Sequence, residues 1–382
     1  MTRLEVARQR LRNLWLTDPK PGRPAGVVAW LGAVQAQDYA ATKWAVGMRL
    51  QGAVDAGIEA AFTAGEVLRT HMLRPTWHFV TPADIRWLLA FTAPRVHAAN
   101  AYMVRKLDLD EDTFRRSNDA LVRALQGGHL CTRQELRQVL EEAGIAAGDG
   151  IRLSYLLMQA ELEGIVVSGP RRGKQFTYAL LEERVPPARH LDRQEALAEL
   201  SRRYFTSRGP ATVHDFARWS GLTVADARQG LEAVKDQLLV EAVDGQELWF
   251  PPPVTPEAPF ATANAPVAWL LSGYDEYISS YQDRGAMVEP EVWAQLMTAG
   301  NALAYVILID GQIVGSALRT LQKRAVTIET RLFLPLTEAQ EQAVAVAAQR
   351  YGEFMGLPVA LQWAHVGPEF VPPQGPQPAS PS

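Results

Sequence analysis

The spacing of apolar residues changes period several times along the chain, and each change predicts a change of element. From Leu4 to Trp15 apolar residues recur at helical spacing, and Pro21, Gly22 and Pro24 then mark a turn. A second helix is predicted over about Ala25 to Gln37 and a third over Ala40 to Leu50. Val67 to Val80 reads instead as two short strands joined near Arg74-Pro75. Thr81-Pro82-Ala83-Asp84 then opens a helix, with Thr as cap, Pro in the first turn and Asp third.

The middle of the chain is more regular. Thr132, with Glu135 three residues on, starts a helix, and a glycine-rich turn at Gly144 to Gly150 follows. An apolar helix over Leu153 to Gly164 leads into the strand Ile165 to Ser168, the basic turn Gly169 to Lys174 and the strand Gln175 to Leu180. Helix, turn, helix and a hairpin with a basic tip is the pattern of a winged helix, a variant of the helix-turn-helix. A further copy spans about 192 to 250, with a helix at Leu197 to Ser207, another starting at Thr223, and a hairpin around Asp244-Gly245. Repetition of this kind makes a nucleic-acid surface the default expectation.

Pro251-Pro252-Pro253 and the Pro/Ala stretch to Pro266 read as a stiff linker. Beyond it, Leu303 to Ile309 is an apolar run of strand length, Asp310-Gly311 is a hairpin turn, and Ala325 to Leu332 alternates like an antiparallel strand. One amphipathic helix (Thr337 to Met355) follows, and a tail rich in Pro and Ser is expected to be disordered. The expected architecture is therefore α+β: three tandem winged-helix modules (1–105, 106–186 and 187–252), a linker (253–266), an antiparallel β-rich domain with one or two helices (267–368) and a tail (369–382).

Bulk properties narrow the picture. A chain of 382 residues exceeds one ordinary core. A net charge of −4 provides no global positive field, so nucleic-acid binding must rest on local Arg and Lys clusters. Cys131, the one cysteine, excludes an internal disulfide and a multi-thiolate zinc site. The first residues lack a signal-peptide core and no 18-residue apolar run exists, so a cytoplasmic protein without membrane attachment is expected.

Several residues are candidates for chemistry. Arg171, Arg172 and Lys174 at a wing tip suit phosphate contact, or form a solvated basic turn. The same turn is one residue short of a phosphate loop and lacks its following Ser/Thr, so no nucleotide cofactor is expected. His71 and His78 lie on opposite arms of the first hairpin without metal-ligand spacing. Either is a structural histidine, or, for His78, a phosphate contact. The Tyr274-Asp275-Glu276-Tyr277 cluster follows an apolar strand and is a structural turn or part of a DNA-facing cleft; its carboxylates are expected to bond arginines such as Arg284, since phosphate would be repelled. Trp30, Trp44, Trp77, Trp87 and Trp219 sit on apolar periodicities and are expected in the core. Gln35-Ala36-Gln37 ends an apolar helical segment with two amides, which are costly to bury unless bonded.

With these segments in place, the chain resembles the tandem winged-helix DNA glycosylases of the AlkZ/YcaQ type. The resemblance rests on Val34-Gln35-Ala36-Gln37, on Leu73 to Asp84, on Gly273 to Tyr277 with Asp283-Arg284, and on the Asp310 to Gly315 turn. It covers about residues 3 to 365. It implies that Gln35 and Gln37 fill the two places of a catalytic Gln-x-Gln motif, and that Arg74, Thr76 and His78 are DNA-binding residues. Where the wider family commonly has Gly after the arginine of an Arg-Gly-Thr-x-His stretch, this chain has Pro75.

The implied activity is excision of alkylated purines, crosslinked ones included, from double-stranded DNA by a monomer that needs no cofactor or metal. A purine alkylated at N7 or N3 is already a cationic leaving group and needs no general acid. What remains is to hold a water under C1′ and to surround the developing positive charge with oriented oxygens, which two Gln carbonyls suit. On an unbroken helix these side chains would point roughly 200° apart, so the helix must end near Ala36. Asp38 is then a cap or surface group. The alternative is a non-catalytic DNA-binding regulator, with the Gln pair bracing the module.

Overall fold

Capping chemistry sets many of the helix starts. In the computed structural model, which describes residues 1–148, 150–253, 265–298 and 305–364, Asp38, Asp110, Thr132, Asp192 and Thr212 each accept a hydrogen bond from a first-turn N–H. At Thr132 the reciprocal bond from Glu135 completes the expected capping box. Thr81 departs from its expected role: its hydroxyl donates to the Asp84 carboxylate instead of capping the helix. Most of the predicted linker, residues 254–264, and the predicted tail, 369–382, lie outside the described residues.

The chain divides into two compact units. The first holds residues 9–253 and 275–282 with Met1, and the second holds 2–8, 265–274 and 283–364. The first opens with the later part of α1 (Arg3–Asn13), then α2 (Pro24–Leu31), β1 (Val34–Gln35), α3 (Tyr39–Gly47), α4 (Asp55–Thr63), β2 (Leu68–Met72) and β3 (Thr76–Val80). The long α5 (Pro82–Lys106) leads to α6 (Glu111–Leu125), β4 (Cys131–Thr132), α7 (Arg133–Glu142), α8 (Ile151–Leu162), β5 (Val166–Ser168) and β6 (Thr177–Leu180). After α9 (Leu181–Arg184) come α10 (Arg193–Arg208), α11 (Val213–Ser220), α12 (Val224–Glu232), β7 (Leu239–Val243) and β8 (Gln246–Phe250). The short α13 (Glu276–Ser279) returns to the same unit.

One element order recurs: helix, short strand, two helices, hairpin. The sheets are β1-β3-β2, then β4-β6-β5, then the β7-β8 hairpin, where a single bridge between Ala211 and Trp249 stands in place of the short strand. Leucines at helical spacing (Leu121 and Leu125, Leu136 and Leu140, Leu153, Leu156 and Leu157) fill the core of the second round against Val166 and Tyr178. Of the five tryptophans expected inside, Trp44, Trp87 and Trp219 are buried, whereas Trp30 and Trp77 are half-buried.

The predicted helix over 25–37 requires correction. α2 stops at Leu31, because Gly32 takes φ 73° and Val34 and Gln35 are drawn into pairing with Phe79 and His78. Apolar periodicity continued past the stop because a buried strand is as apolar as a buried helix.

The second unit is a five-stranded sheet in the order β13-β12-β11-β10-β9, made of β9 (Ala268–Ser272), β10 (Tyr305–Ile309), β11 (Gln312–Leu321), β12 (Val326–Leu332) and β13 (Val359–Gln362), with α14 (Pro290–Thr298) and α15 (Glu338–Met355). Asp310 and Gly311 both have positive φ, as the expected two-residue hairpin requires. Along β12, Val326, Ile328, Thr330 and Leu332 are buried while Glu329 is exposed, so one face meets the core as the alternation predicted. Within this sheet β13 pairs with β12 in parallel, and the other described pairings are antiparallel. Among the described residues no helix is long and apolar enough to cross a membrane.

Candidate catalytic site

The backbone at Gln35-Ala36 has a partner for every polar group. The Gln35 N–H donates to Glu276 Oε1 at 2.9 Å, and its carbonyl accepts from Thr42 Oγ1 at 3.0 Å. The Ala36 N–H donates to the Trp77 carbonyl at 2.7 Å, and its carbonyl accepts from Arg69 Nε at 3.0 Å. Arg69 is itself held between the Trp77 ring (4.0 Å) and the Phe176 ring (4.7 Å). Burial pulls its pKa down to about 10. Three of the four partners are side chains, so this segment is fixed more by tertiary contacts than by secondary structure.

The two amides are oriented as well. Gln35 Oε1 accepts from Arg74 Nη2 at 3.1 Å, and Gln37 Oε1 accepts from the Trp77 backbone N–H at 3.3 Å. A guanidinium and a peptide N–H can only donate, so the oxygen of each amide must face them. Each oxygen keeps a second lone pair. Gln35 is half-buried and Gln37 exposed. Because Gln35 lies in extended backbone, the opposed directions expected on a continuous helix do not arise. Asp38 caps α3 by accepting from the Ala41 N–H at 3.1 Å, as expected.

His78 lies opposite Gln35 in the β1–β3 register. Its Nδ1 meets the Thr76 carbonyl at 2.9 Å, which fixes the proton on Nδ1 and leaves Nε2 as an acceptor. That Nε2 and Thr76 Oγ1 are buried, and neither has a hydrogen-bond partner among the described residues. Burial, and then the charge of Arg74, lowers the His78 pKa from 6.5 to about 3, so the ring is neutral. His78 has no exposed surface, and a phosphate has no access to it in this structure. His71 pairs across the hairpin with Trp77 where His78 pairs with Thr70, so the two imidazoles sit on opposite faces. His71 is buried against Glu161.

The acidic cluster forms the floor beneath. Asp275 and Arg49, both fully buried, make a two-pronged bond at 2.8 and 2.9 Å. Glu276 Oε2 accepts from Arg208 Nη2 (2.7 Å), Arg208 Nε (3.2 Å), Trp219 Nε1 (2.9 Å) and Ser280 Oγ (2.8 Å). Burial alone would raise the Glu276 pKa, but the Arg208 charge and the Gln35 N–H outweigh it and bring the pKa down to about 2. The carboxylates thus bond arginines, as expected, but the partners are Arg49 and Arg208 where Arg284 was the one named from sequence.

The basic residues of the β5–β6 turn separate into different environments. Arg171 is turned inward, meeting Glu59 at 3.3 Å and lying over the Tyr39 and Phe176 rings. Arg172 pairs with Glu135 at 2.7 Å while half exposed, and Lys174 is exposed. Two arginines that sequence reasoning missed lie around Arg74 and the end of α11. Arg218, on α11, is exposed, and its carbonyl is approached by Arg74 Nη1 at 3.5 Å. Arg95, on α5, reaches the Gly221 carbonyl at 3.4 Å. Neither has a carboxylate partner among the described residues. No local motif marks Arg69, Arg95, Arg208 or Arg218, since their partners are remote in sequence.

The site thus consists of one glutamine at the end of a short strand and a second just beyond it, a buried Arg–Glu pair against the strand's backbone, and nearby arginines without carboxylate partners among the described residues. A family model for AlkZ-like DNA glycosylases matches residues 28–354, and the chain belongs to that family. It is similar to an interstrand DNA cross-link repair glycosylase of Streptomyces sahachiroi, 23% identical over 331 residues, covering 81% of this chain and 86% of the relative. The solved structure of the S. sahachiroi DNA glycosylase AlkZ superimposes with a TM-score of 0.75 at 20% identity, covering 94% of this chain and 99% of that one. At that identity the likeness establishes a shared fold.

Proposed function

We propose that this DNA glycosylase hydrolyses the N-glycosidic bond of alkylated purines in double-stranded DNA, those in interstrand crosslinks included, and leaves an abasic site. The observation that carries the reading is the pair of amide oxygens, each turned by a dedicated donor (Arg74 for Gln35, the Trp77 N–H for Gln37). In the step envisaged, the C1′–N bond breaks with its electron pair passing to the cationic purine, and a water oxygen bonds C1′ and loses a proton to solvent. The glutamine oxygens hold that water and face the oxocarbenium-like sugar, with no reorganisation needed at the moment of reaction. A water nucleophile fits the surroundings, since the nearby Lys43 donates to Asp55 and Glu59 at 2.8 Å each.

The recurring helix, strand, two helices and hairpin supports three winged-helix modules, at 1–105, 106–186 and 187–252, followed by the β-rich domain 267–368; a monomer acting in the cytoplasm is part of the proposal. Phosphates are assigned to Arg74, Arg172 and Lys174, joined by Arg218 and Arg95; Thr76, whose hydroxyl is buried, contributes only if that hydroxyl is uncovered on binding. Arg171 becomes available to DNA once it leaves Glu59.

The test is excision from a duplex carrying one N7-methylguanine, followed by alkali to cleave abasic sites. The native chain is expected to cleave at the lesion. Gln35→Ala and Gln37→Ala are each expected to lower the single-turnover rate by about 10²–10³-fold. Full excision by Gln37→Ala would exclude the amide pair as the catalytic group.

A further inference from the structure

The segment entering the Gln-x-Gln motif is held by one buried ion pair. Arg208 and Glu276 are both essentially without exposed surface. Arg208 Nη1 donates to the Leu31 carbonyl at 2.8 Å, where α2 ends, and Nη2 donates to the Ala33 carbonyl at 3.0 Å. Glu276 Oε1 receives the Gln35 N–H. One guanidinium and one carboxylate thus bind three backbone groups within five residues, along the edge of β1 that no strand covers. β1 has only two residues, and its other edge is bonded to β3. Such a strand has little register of its own, so its position follows whatever holds its free edge.

The pair is itself fixed. The Trp219 Nε1 and the Ser280 hydroxyl bond Glu276 Oε2, and the Trp219 ring lies 4.2 Å from the Arg208 guanidinium carbon. Satisfied buried networks of this kind define a single geometry, at a desolvation cost that apolar packing would avoid. Burying two charges to hold three backbone groups beside Gln35 is hard to account for by stability alone, because a buried ion pair is weak evidence of stabilisation.

We propose that Glu276, working with Arg208, is a positioning residue for Gln35, setting the backbone from which its amide reaches the reacting sugar. The proposal rests on the reading of Gln35 as catalytic. Misplacing such a group by about 1 Å costs about 10²-fold in rate, whereas DNA affinity, spread over several phosphate contacts that do not bond Glu276, changes little.

The experiment is a double-mutant cycle on the full chain, with Gln35→Ala, Glu276→Gln and the double variant. Single-turnover excision and dissociation constant are both measured on the N7-methylguanine duplex. Glu276→Gln is expected to slow excision at least 10-fold with affinity unchanged within 2-fold, and to slow it no further in the Gln35→Ala background. A general structural role would weaken both backgrounds alike, and that result, or a full rate for Glu276→Gln, overturns the proposal. Gln35→Ala excising at full rate would instead remove the underlying reading. Should Glu276→Gln fail to fold, Arg208→Lys runs the same cycle, because it keeps the charge pair but loses the planar fork that spans two carbonyls. The same outcomes decide.

Discussion

His78 shows how much a residue's role depends on its surroundings. Its spacing within a family-like stretch suggested a phosphate contact, yet complete burial makes it a neutral acceptor whose Nδ1–H is committed to the Thr76 carbonyl. The consequence is a pH dependence of stability. The folded-state pKa is about 3 and the ordinary value 6.5. Below 6.5 the unfolded chain takes up a proton that the folded chain refuses, so this residue's contribution is intact above 6.5 and falls away as pH drops toward 3. His78→Gln, which can keep a donor to Thr76, is expected to narrow its stability deficit against the native chain by up to about 1.4 kcal/mol per pH unit over that window. Denaturant titrations at pH 7, 6, 5 and 4 measure the gap. A gap that stays constant with pH would mean that the histidine is charged or exposed.

Where an element stops decided the site more than where it started. Starts were legible, since Thr132, Thr223 and the Asp310-Gly311 turn are local chemistry and the structure uses each as expected. The end of α2 was not, because Ala33 and Val34 continue the apolar run of Val27 to Leu31 and only pairing with β3 reveals the strand. Gly221 matters in a related way. It ends α11 with φ 72°, and a Cβ there would collide with the Leu73 carbonyl, so α11 lies directly against the turn that carries Arg74. Gly221→Ala is expected to cost about 1–3 kcal/mol and to lower the melting temperature. It should also slow excision by displacing Arg74 from Gln35. An unchanged melting temperature would show that the two segments separate easily.

On the scale of the whole chain, the net charge of −4 leaves DNA binding to a few local cations. Exposed Lys174 and Arg218, the first expected from its turn and the second found only in the structure, are the clearest of them. Each replaced by Ala is expected to reduce the slope of log binding constant against log salt by about one unit on undamaged duplex. If Arg218→Ala leaves the slope intact, no phosphate sits beside Gln35 on that side. Sequence by itself determined the repeated order of helices and hairpins and the β-rich second unit, because periodicity, capping and turn chemistry act between residues a few positions apart, while the glutamines were singled out by the family resemblance. Only the tertiary structure decided that Gln35 stands on a strand with Gln37 just beyond its end, that Arg74 and the Trp77 N–H turn their oxygens, and that Glu276 bonds the Gln35 backbone. Those contacts join residues 39 to 241 positions apart, and at such separation no local pattern records which side chains will meet.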